Sequence, residues 1–194
     1  RQEHSTVGPN LWFRTAVNIA ILFGVYGKYC RQDIYEFDIA VETGNLQQLL
    51  AIRYAQKMGL PIRKVILGCL DGDGLWEFVS YGDYQTNRKD RMLGFEALLW
   101  LEFGYSEAEA YRSAVVNKCT YRLKELKLDQ FRQCLFATVV GDNRVKNVID
   151  SILRTNNYSM ECGTARAFGA LQDYRAKTGE NKNTLLFSHN APAK

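Results

Sequence analysis

The chain has 194 residues, of which 46% are hydrophobic and 24% charged, as in ordinary globular proteins. Its net charge of +4 comes from 25 basic and 21 acidic side chains scattered along the chain, so we expect no nucleic-acid partner. The longest apolar stretch, residues 16–26, is interrupted by Asn18 and Gly24 and is too short to cross a bilayer, so we expect no membrane association.

The five cysteines are odd in number and widely spaced, with no CxxC pair: Cys30, Cys69, Cys119, Cys134 and Cys162. This pattern predicts reduced thiols in a cytoplasmic protein, most of them packed as small apolar side chains. The two histidines, His4 and His189, are far from any cysteine in sequence, so no metal site is predicted. The opening RQEHSTVGPN lacks the features of a secretory signal, and because it begins with Arg we expect further residues upstream.

The first half of the chain predicts a helix followed by a strand-helix-strand unit. Apolar residues at helical spacing indicate a mostly buried helix over residues 11–29, starting near Asn10. A strand over residues 37–41 leads through a Thr-Gly-Asn turn into a helix over residues 45–58, which Gly59 and Pro61 end. Residues 63–68, RKVILG, are predicted to form the next parallel strand.

The second half predicts further helices and at least one more strand. A loop over residues 69–82 leads into a short helix at 75–80, and residues 94–128 have a helical pattern. That pattern is expected to break at GYSEAE, where Ser106 is predicted as an N-cap and Glu109 as its capping-box partner. The remaining predicted elements are a strand over residues 131–140, a helix capped by Asp142 or Asn143 that ends at Leu153, a helix over 163–176 and a strand over 184–188.

This order predicts an α/β fold, with a parallel sheet of about four strands flanked by helices on both faces in a three-layer αβα arrangement. We expect residues 1–194 to form a single domain. A plain nucleotide-binding Rossmann unit is disfavoured because the sequence has no GxGxxG motif.

The strongest local signal for a ligand is the turn Thr43, Gly44 and Asn45. A buried strand that enters a helix through a glycine turn directs free backbone N–H groups and the helix dipole at one point, which favours an anion such as phosphate. Glycine is also common in tight turns that bind nothing, so a plain turn is the alternative. For the DGDG of Asp71 and Asp73, a turn is favoured over a calcium loop.

Several segments in order resemble threonine synthases, which are fold type II enzymes dependent on pyridoxal phosphate (PLP). VETGNLQQLLAIRYAQKMGLPIRKVILG is similar to their VPTGNFGD turn, the following helix and AKxMGLPIKR. LWFRTAVNIAILFG lies where that family has its SINWAR-type helix, and DGLWEFVSYGDY and GFEALLWL resemble ND-x-L-x-x-F-x-x-G-x-Y and NFERLLF. NNYSMECGTARAFGAL resembles TGYxxxPHTAVAxxAL, and LLFSHNAPAK resembles the TAHPAK strand and loop, so the resemblance covers residues 11–194.

The resemblance implies a PLP site. Its phosphate would be held by Thr43, Gly44 and Asn45 with the N–H groups of Leu46 and Gln47, and Ser188 would hydrogen-bond the pyridine nitrogen. A neutral hydroxyl there would leave the ring unprotonated and limit its strength as an electron sink. The family reaction converts O-phosphohomoserine to threonine and phosphate, and belongs to the lyases of amino-acid biosynthesis.

The chain departs from the family pattern at motifs that form the active site in that family. The Schiff-base lysine of the family lies in a motif upstream of the first helix, and no equivalent motif is present, so we expect no catalytic residue in this chain. GNFGD has become GNLQQ, PHTA has become CGTA and TAHPAK has become SHNAPAK. Cys162 is expected to be a packed, inert thiol, and His189 is either a pocket residue or a surface residue.

Two functions follow from these observations. The chain is either the C-terminal portion of a threonine synthase-like enzyme, completed by a missing N-terminal segment or a homodimer partner, or a non-catalytic pseudoenzyme. As a pseudoenzyme it would bind phosphate, another small molecule or a protein. The predicted partner is a small-molecule phosphate ligand at the Thr-Gly-Asn turn, and a protein partner is expected if no such ligand binds.

Overall fold

The computed structural model describes residues 9–29, 36–44, 46–87 and 92–188. Within these residues the strands form a four-stranded parallel sheet and a separate antiparallel pair. The elements in chain order are α1 (Pro9–Tyr29), β1 (Phe37–Glu42), α2 (Leu46–Lys57), β2 (Ile62–Cys69), α3 (Gly74–Tyr81), β3 (Asp83–Gln85), α4 (Phe95–Phe103), α5 (Tyr105–Val116), β4 (Thr120–Arg122), α6 (Glu125–Cys134), β5 (Leu135–Val139), α7 (Asp142–Asn156), α8 (Cys162–Thr178) and β6 (Thr184–Phe187).

The large sheet has the strand order β5-β2-β1-β6 and is covered by helices on both faces. Along β1, Ile39 and Val41 pack into the core that includes α2 and α4, whereas Ala40 between them packs into the core that includes α7 and α8. All three side chains are fully buried, as expected for a central strand of a parallel sheet. The predicted α/β fold, with four parallel strands between helices, is therefore confirmed.

The predicted burial of the first helix is wrong. Leu11 and Leu22 are buried in α1, but Phe13 is 70% exposed and Val17 and Ile21 are more than two-fifths exposed. The reason is that α1 packs mainly against α2, so that only one side of α1 is covered. Helical spacing of apolar residues therefore located the helix correctly without revealing how much of it is buried.

The predicted cap of the fifth helix is also wrong. Gly104, with a φ of 86°, ends α4 and is the N-cap of α5, so Ser106 lies inside the first turn. Positive φ is readily adopted by glycine, which explains why the break comes two residues earlier than predicted. The carboxylate of Glu109 accepts a hydrogen bond from Arg112 instead of completing a capping box.

Two further predictions in the second half of the chain are wrong, one for the start of a strand and one for a helix cap. Residues 131–134 belong to the end of α6, and only Leu135–Val139 form a strand. At α7 the N-cap is Gly141, without a side-chain hydrogen bond, so neither Asp142 nor Asn143 caps the helix. The side chain of Asp142 pairs instead with Arg166 of α8.

Helix α8 lies unusually close to the sheet. A Cβ atom added to Gly68 of β2 would lie 2.6 Å from the carbonyl oxygen of Arg166, so no side chain fits between the two backbones. The buried face of α8 is correspondingly rich in small residues: Gly163, Ala165, Ala167, Gly169 and Ala170. This close packing brings the N-terminus of α8 to the carboxyl end of the sheet.

Candidate functional site at the carboxyl end of the sheet

A cavity of about 500 Å³ opens beyond the carboxyl ends of β1 and β2. This is the end of a parallel sheet at which α/β proteins bind ligands. The N-termini of α2 and α3 both reach the cavity, and its wall includes Arg14, Thr43, Gly44, Leu46, Gln47 and Asp73.

The two helix N-termini differ in charge. Asp73 is the N-cap of α3, where one carboxylate oxygen accepts a hydrogen bond from the Leu75 N–H at 2.8 Å. This confirms the turn interpretation of DGDG. In contrast, the first turn of α2 contains no acidic side chain. Since the first N–H groups of a helix lack intrahelical acceptors, the α2 end is the more favourable one for an external anion.

Thr43 connects the glycine turn to the neighbouring strand and helix. Its N–H donates to the Gly68 carbonyl at 3.1 Å, and its hydroxyl donates to the second carboxylate oxygen of Asp73. The side chain is buried, with 3% of the residue exposed. These bonds fix the path of the chain from β1 towards α2.

Four of the predicted site residues line this one cavity, namely Thr43, Gly44, Leu46 and Gln47. Asn45 lies outside the described residues, as does His189. Ser188 follows β6, where its Oγ accepts a hydrogen bond from the Thr164 hydroxyl at 2.8 Å. The role of each residue towards a ligand remains a prediction.

On the α8 side of the sheet, an ion network lies next to the glycine turn. The guanidinium of Arg166 donates to Glu42 at 2.6 Å, to Asp142 at 2.8 Å and to the Val140 carbonyl at 3.2 Å. The Arg166 side chain is only 7% exposed, so its charge is paired away from bulk solvent. Sequence reasoning missed this network. The one available signal was an arginine in the small-residue segment GTARAFGA.

Two glycines enclose the carboxylate of Glu42. A Cβ atom at Gly44 would lie 3.5 Å from the Glu42 carboxyl carbon, and one at Gly163 would clash with a Glu42 carboxylate oxygen. Glu42 ends β1 and directly precedes the predicted phosphate turn. An acidic group therefore lies close to the position where an anion is expected.

The cysteines do not share one environment. Cys69 is buried at the end of β2, and burial raises the pKa of its thiol, with the nearby Asp73 carboxylate acting in the same direction. Cys119 and Cys162 are exposed, so the prediction of packed side chains is wrong for these two. Cys162 is the first residue of α8, and the packing of that helix is provided by the small residues that follow it.

Membrane spans and metal sites, which the sequence disfavours, can be examined in the described part of the chain. None of its helices has both the length and the apolar character needed to cross a membrane. Among the same residues, no three or more histidine, cysteine, aspartate or glutamate side chains are grouped so that they could hold a metal ion.

No protein-family model matches the chain. Sequence comparison finds proteins named Threonine synthase-like 1. The one from Mus musculus is 35% identical over 83 residues, which is 40% of this chain and 11% of that protein. The one from Pongo abelii is 24% identical over 145 residues, which is 67% of this chain and 19% of that protein.

Among solved structures, PLP-bound threonine synthase from Brucella melitensis superposes with a TM-score of 0.76 and 19% identity, over 92% of this chain and 40% of that chain. Threonine synthase from yeast gives a TM-score of 0.73 and 18% identity, over 89% and 39%. The chain thus spans about two fifths of these structures and a fifth or less of the curated relatives it matches. The predicted resemblance to threonine synthase-like proteins is confirmed.

Proposed function

We propose that the chain is a PLP-binding domain of threonine synthase type that holds the cofactor phosphate at the N-terminus of α2. The observation that carries the proposal is the cavity of about 500 Å³ at the carboxyl end of the sheet, where the first turn of α2 has no acidic side chain. The Arg14 side chain in the same wall adds a positive charge. Helix dipole, backbone N–H groups and guanidinium all favour an anion here.

Four residues of the cavity wall fit the phosphate end of the cofactor, namely Thr43, Gly44, Leu46 and Gln47, whereas Ser188, proposed for the ring nitrogen, is not among the described residues that line the cavity. Gly44 has no side chain that would exclude a phosphate, and Leu46 and Gln47 supply the first N–H groups of α2. The hydroxyl of Ser188, positioned by Thr164, would meet the ring nitrogen. Bound PLP supplies an electron sink for carbanions, and a neutral hydroxyl partner keeps that sink weak.

We propose that this chain is not catalytic by itself. The described residues that line the cavity include Arg14 but no lysine, so they offer no amine that could form a Schiff base. The family reaction, from O-phosphohomoserine to threonine and phosphate, would therefore need an amine from a preceding segment or a homodimer partner. If such an amine is supplied, we propose that the protein acts in amino-acid biosynthesis and that it does so in the cytoplasm.

The alternative is a non-catalytic pseudoenzyme that keeps the fold to bind a phosphate, a small molecule or a protein. The lack of a lysine among the described cavity residues favours it, as does the carboxylate of Glu42 beside Gly44. The enzyme and a phosphate-binding pseudoenzyme both require an anion site at α2. They differ in whether the protein uses PLP for chemistry.

The test is calorimetric titration with PLP, pyridoxal and inorganic phosphate. We expect PLP to bind at least about tenfold more tightly than pyridoxal, a difference of about 1.4 kcal/mol, and phosphate to compete with PLP. Equal affinity for PLP and pyridoxal would contradict the site. Borohydride treatment of the PLP-loaded full-length protein that contains this chain, followed by mass spectrometry, would separate the two functions, since stoichiometric pyridoxyl attachment to one lysine indicates an enzyme.

A matched pair of glycine variants locates the site. The Cβ atom of Gly44→Ala would be in ordinary van der Waals contact with Glu42, so this variant should fold while covering the face that a phosphate approaches. Gly141→Ala is the control, because nothing lies within 4 Å of its added methyl group. We expect about a tenfold loss of PLP affinity for Gly44→Ala and none for Gly141→Ala. Equal affinities would place the phosphate elsewhere.

A further inference from the structure

The carboxylate of Glu42 lies on the open side of the glycine in the predicted phosphate turn. A side-chain atom at Gly44 would be 3.5 Å from its carboxyl carbon and 3.6 and 3.7 Å from its two oxygens. Glycines in phosphate-binding turns are useful because ligand oxygens can approach the backbone on the side where other residues have a Cβ. Here that side already faces a negatively charged group.

Arg166 holds the carboxylate in this position. Its guanidinium donates to Glu42 at 2.6 Å, and its other terminal nitrogen donates to Asp142 at 2.8 Å. Two carboxylates therefore share one guanidinium, which leaves one negative charge uncompensated within the network. On the opposite side of Glu42, Gly163 leaves no space for a further side chain.

We propose that Glu42 determines the ligand preference of the α2 site by lowering its affinity for doubly charged phosphate groups. This inference deepens the proposed function and rests on it. A phosphate at Gly44 would bring two negative charges next to a carboxylate in a partly buried environment, where like charges repel more strongly than in water.

The test compares two variants that each remove one carboxylate partner of Arg166. Glu42→Gln keeps the shape of the side chain and an oxygen that can accept from Arg166, but removes the charge beside Gly44. Asp142→Asn also removes one negative charge, from the carboxylate that binds the other terminal nitrogen of Arg166, and the Asp142 side chain is 82% exposed. Each protein is titrated with inorganic phosphate, PLP and pyridoxal, which has no phosphate.

We expect Glu42→Gln to bind phosphate and PLP about tenfold more tightly than the unmodified chain, a gain of about 1.4 kcal/mol, with pyridoxal binding unchanged. Asp142→Asn should differ from the unmodified chain by less than about twofold, because the charge it removes is mostly exposed and lies away from Gly44.

The outcomes separate this inference from the proposed function. If the unmodified chain binds PLP and Glu42→Gln binds it no more tightly, the role of Glu42 is refuted while the α2 site stands. An equal gain in Asp142→Asn also refutes it, since the effect would then be one of net charge. If no variant binds PLP or phosphate, both ideas fail. Should Glu42→Gln not fold, as judged by circular dichroism, Glu42→Ser removes the same charge and is subject to the same criteria.

Discussion

Gly68 offers a direct test of how closely α8 packs on the sheet. In Gly68→Ala the new methyl carbon would lie 2.6 Å from the carbonyl oxygen of Arg166, 2.8 Å from its carbonyl carbon and 3.0 Å from the Ala167 nitrogen. These contacts are roughly 1 Å shorter than ordinary van der Waals separations, and all three involve backbone atoms that cannot rotate away. The whole helix must therefore move or the strand must bend. Overpacking a core costs about 1–3 kcal/mol, and because no flexible side chain can relieve this contact we expect the upper end, about 3 kcal/mol.

The assay is urea unfolding followed by circular dichroism, with thermal unfolding as a second measurement. For a protein of this size, a loss of about 3 kcal/mol lowers Tm by roughly 6–12 °C. Gly24→Ala is the matched control, since Gly24 lies inside α1 with nothing within 4 Å of an added methyl group. Alanine should stabilise that exposed helix position by about 0.5–1 kcal/mol. A Gly68→Ala protein within about 0.5 kcal/mol of the unmodified chain would refute the close packing of α8.

Two further predictions concern ion pairs. Arg53 donates two hydrogen bonds to Glu102, of 2.5 and 2.8 Å, and the two side chains are 7% and 6% exposed. Glu102→Ala should lower the free energy of unfolding in urea by about 3–5 kcal/mol, because the buried guanidinium keeps Gln56 as an acceptor but loses its carboxylate partner. A loss below about 1 kcal/mol would show that water solvates the guanidinium. Burial raises the pKa of Glu107, but hydrogen bonds from Lys127 and Tyr121 outweigh this, so that the net pKa is lowered. The ionised Glu107 carboxylate should stabilise the folded chain at neutral pH, and this stabilisation should be lost as the pH falls through the lowered pKa. The Tm difference between the unmodified chain and Glu107→Gln should therefore shrink between pH 7 and about pH 3. A Tm difference that is constant with pH would contradict this assignment.

Local sequence patterns predicted the elements whose signals are themselves local. The β1-α2-β2 unit was located to within about one residue at each end, because Gly59 and Pro61 mark the end of the helix and the strands are continuous apolar runs. The helical pattern predicted over residues 94–128 is wrong at residues 120–122, which form the short strand β4, and no signal in the sequence indicated its partner β3. Strands of three residues are too short to show the alternation that distinguishes a strand from a helix or loop.

The same distinction applies to the candidate site. The glycine turn and the start of α2 are contiguous in sequence, so their geometry could be predicted from a dozen residues. The bond between Glu42 and Arg166 joins positions 124 residues apart, and only the folded chain brings them together. A glutamate at the end of a strand and an arginine within a helix carry no sign of each other. Glu42 is adjacent to the turn in sequence, but the ion pair that positions its carboxylate could not be predicted from the sequence.

The two ends of the sheet differ in what they offer a ligand, and helix direction explains the difference. At the amino end a second cavity, of about 550 Å³, is lined by Arg63, Lys64, Arg132 and Lys177, which suggests an anion site by charge alone. Yet the helices that reach this end do so with their C-termini, where carbonyl groups need donors.

The cations at the amino end meet that need. The Lys64 amine donates to the Gln133 carbonyl at 2.6 Å at the end of α6, and Arg132 donates to the Val79 carbonyl at 2.9 Å near the end of α3. Arg63 is paired with Asp38 at 2.7 Å. The charges of Lys64, Arg132 and Arg63 are thus largely balanced by helix ends and a buried carboxylate, and the Lys177 amine lies over the Phe136 ring, 5.7 Å from its centroid. At the carboxyl end the α2 terminus instead presents N–H groups without an acidic residue in its first turn, so the cavity with fewer cations is the better anion site.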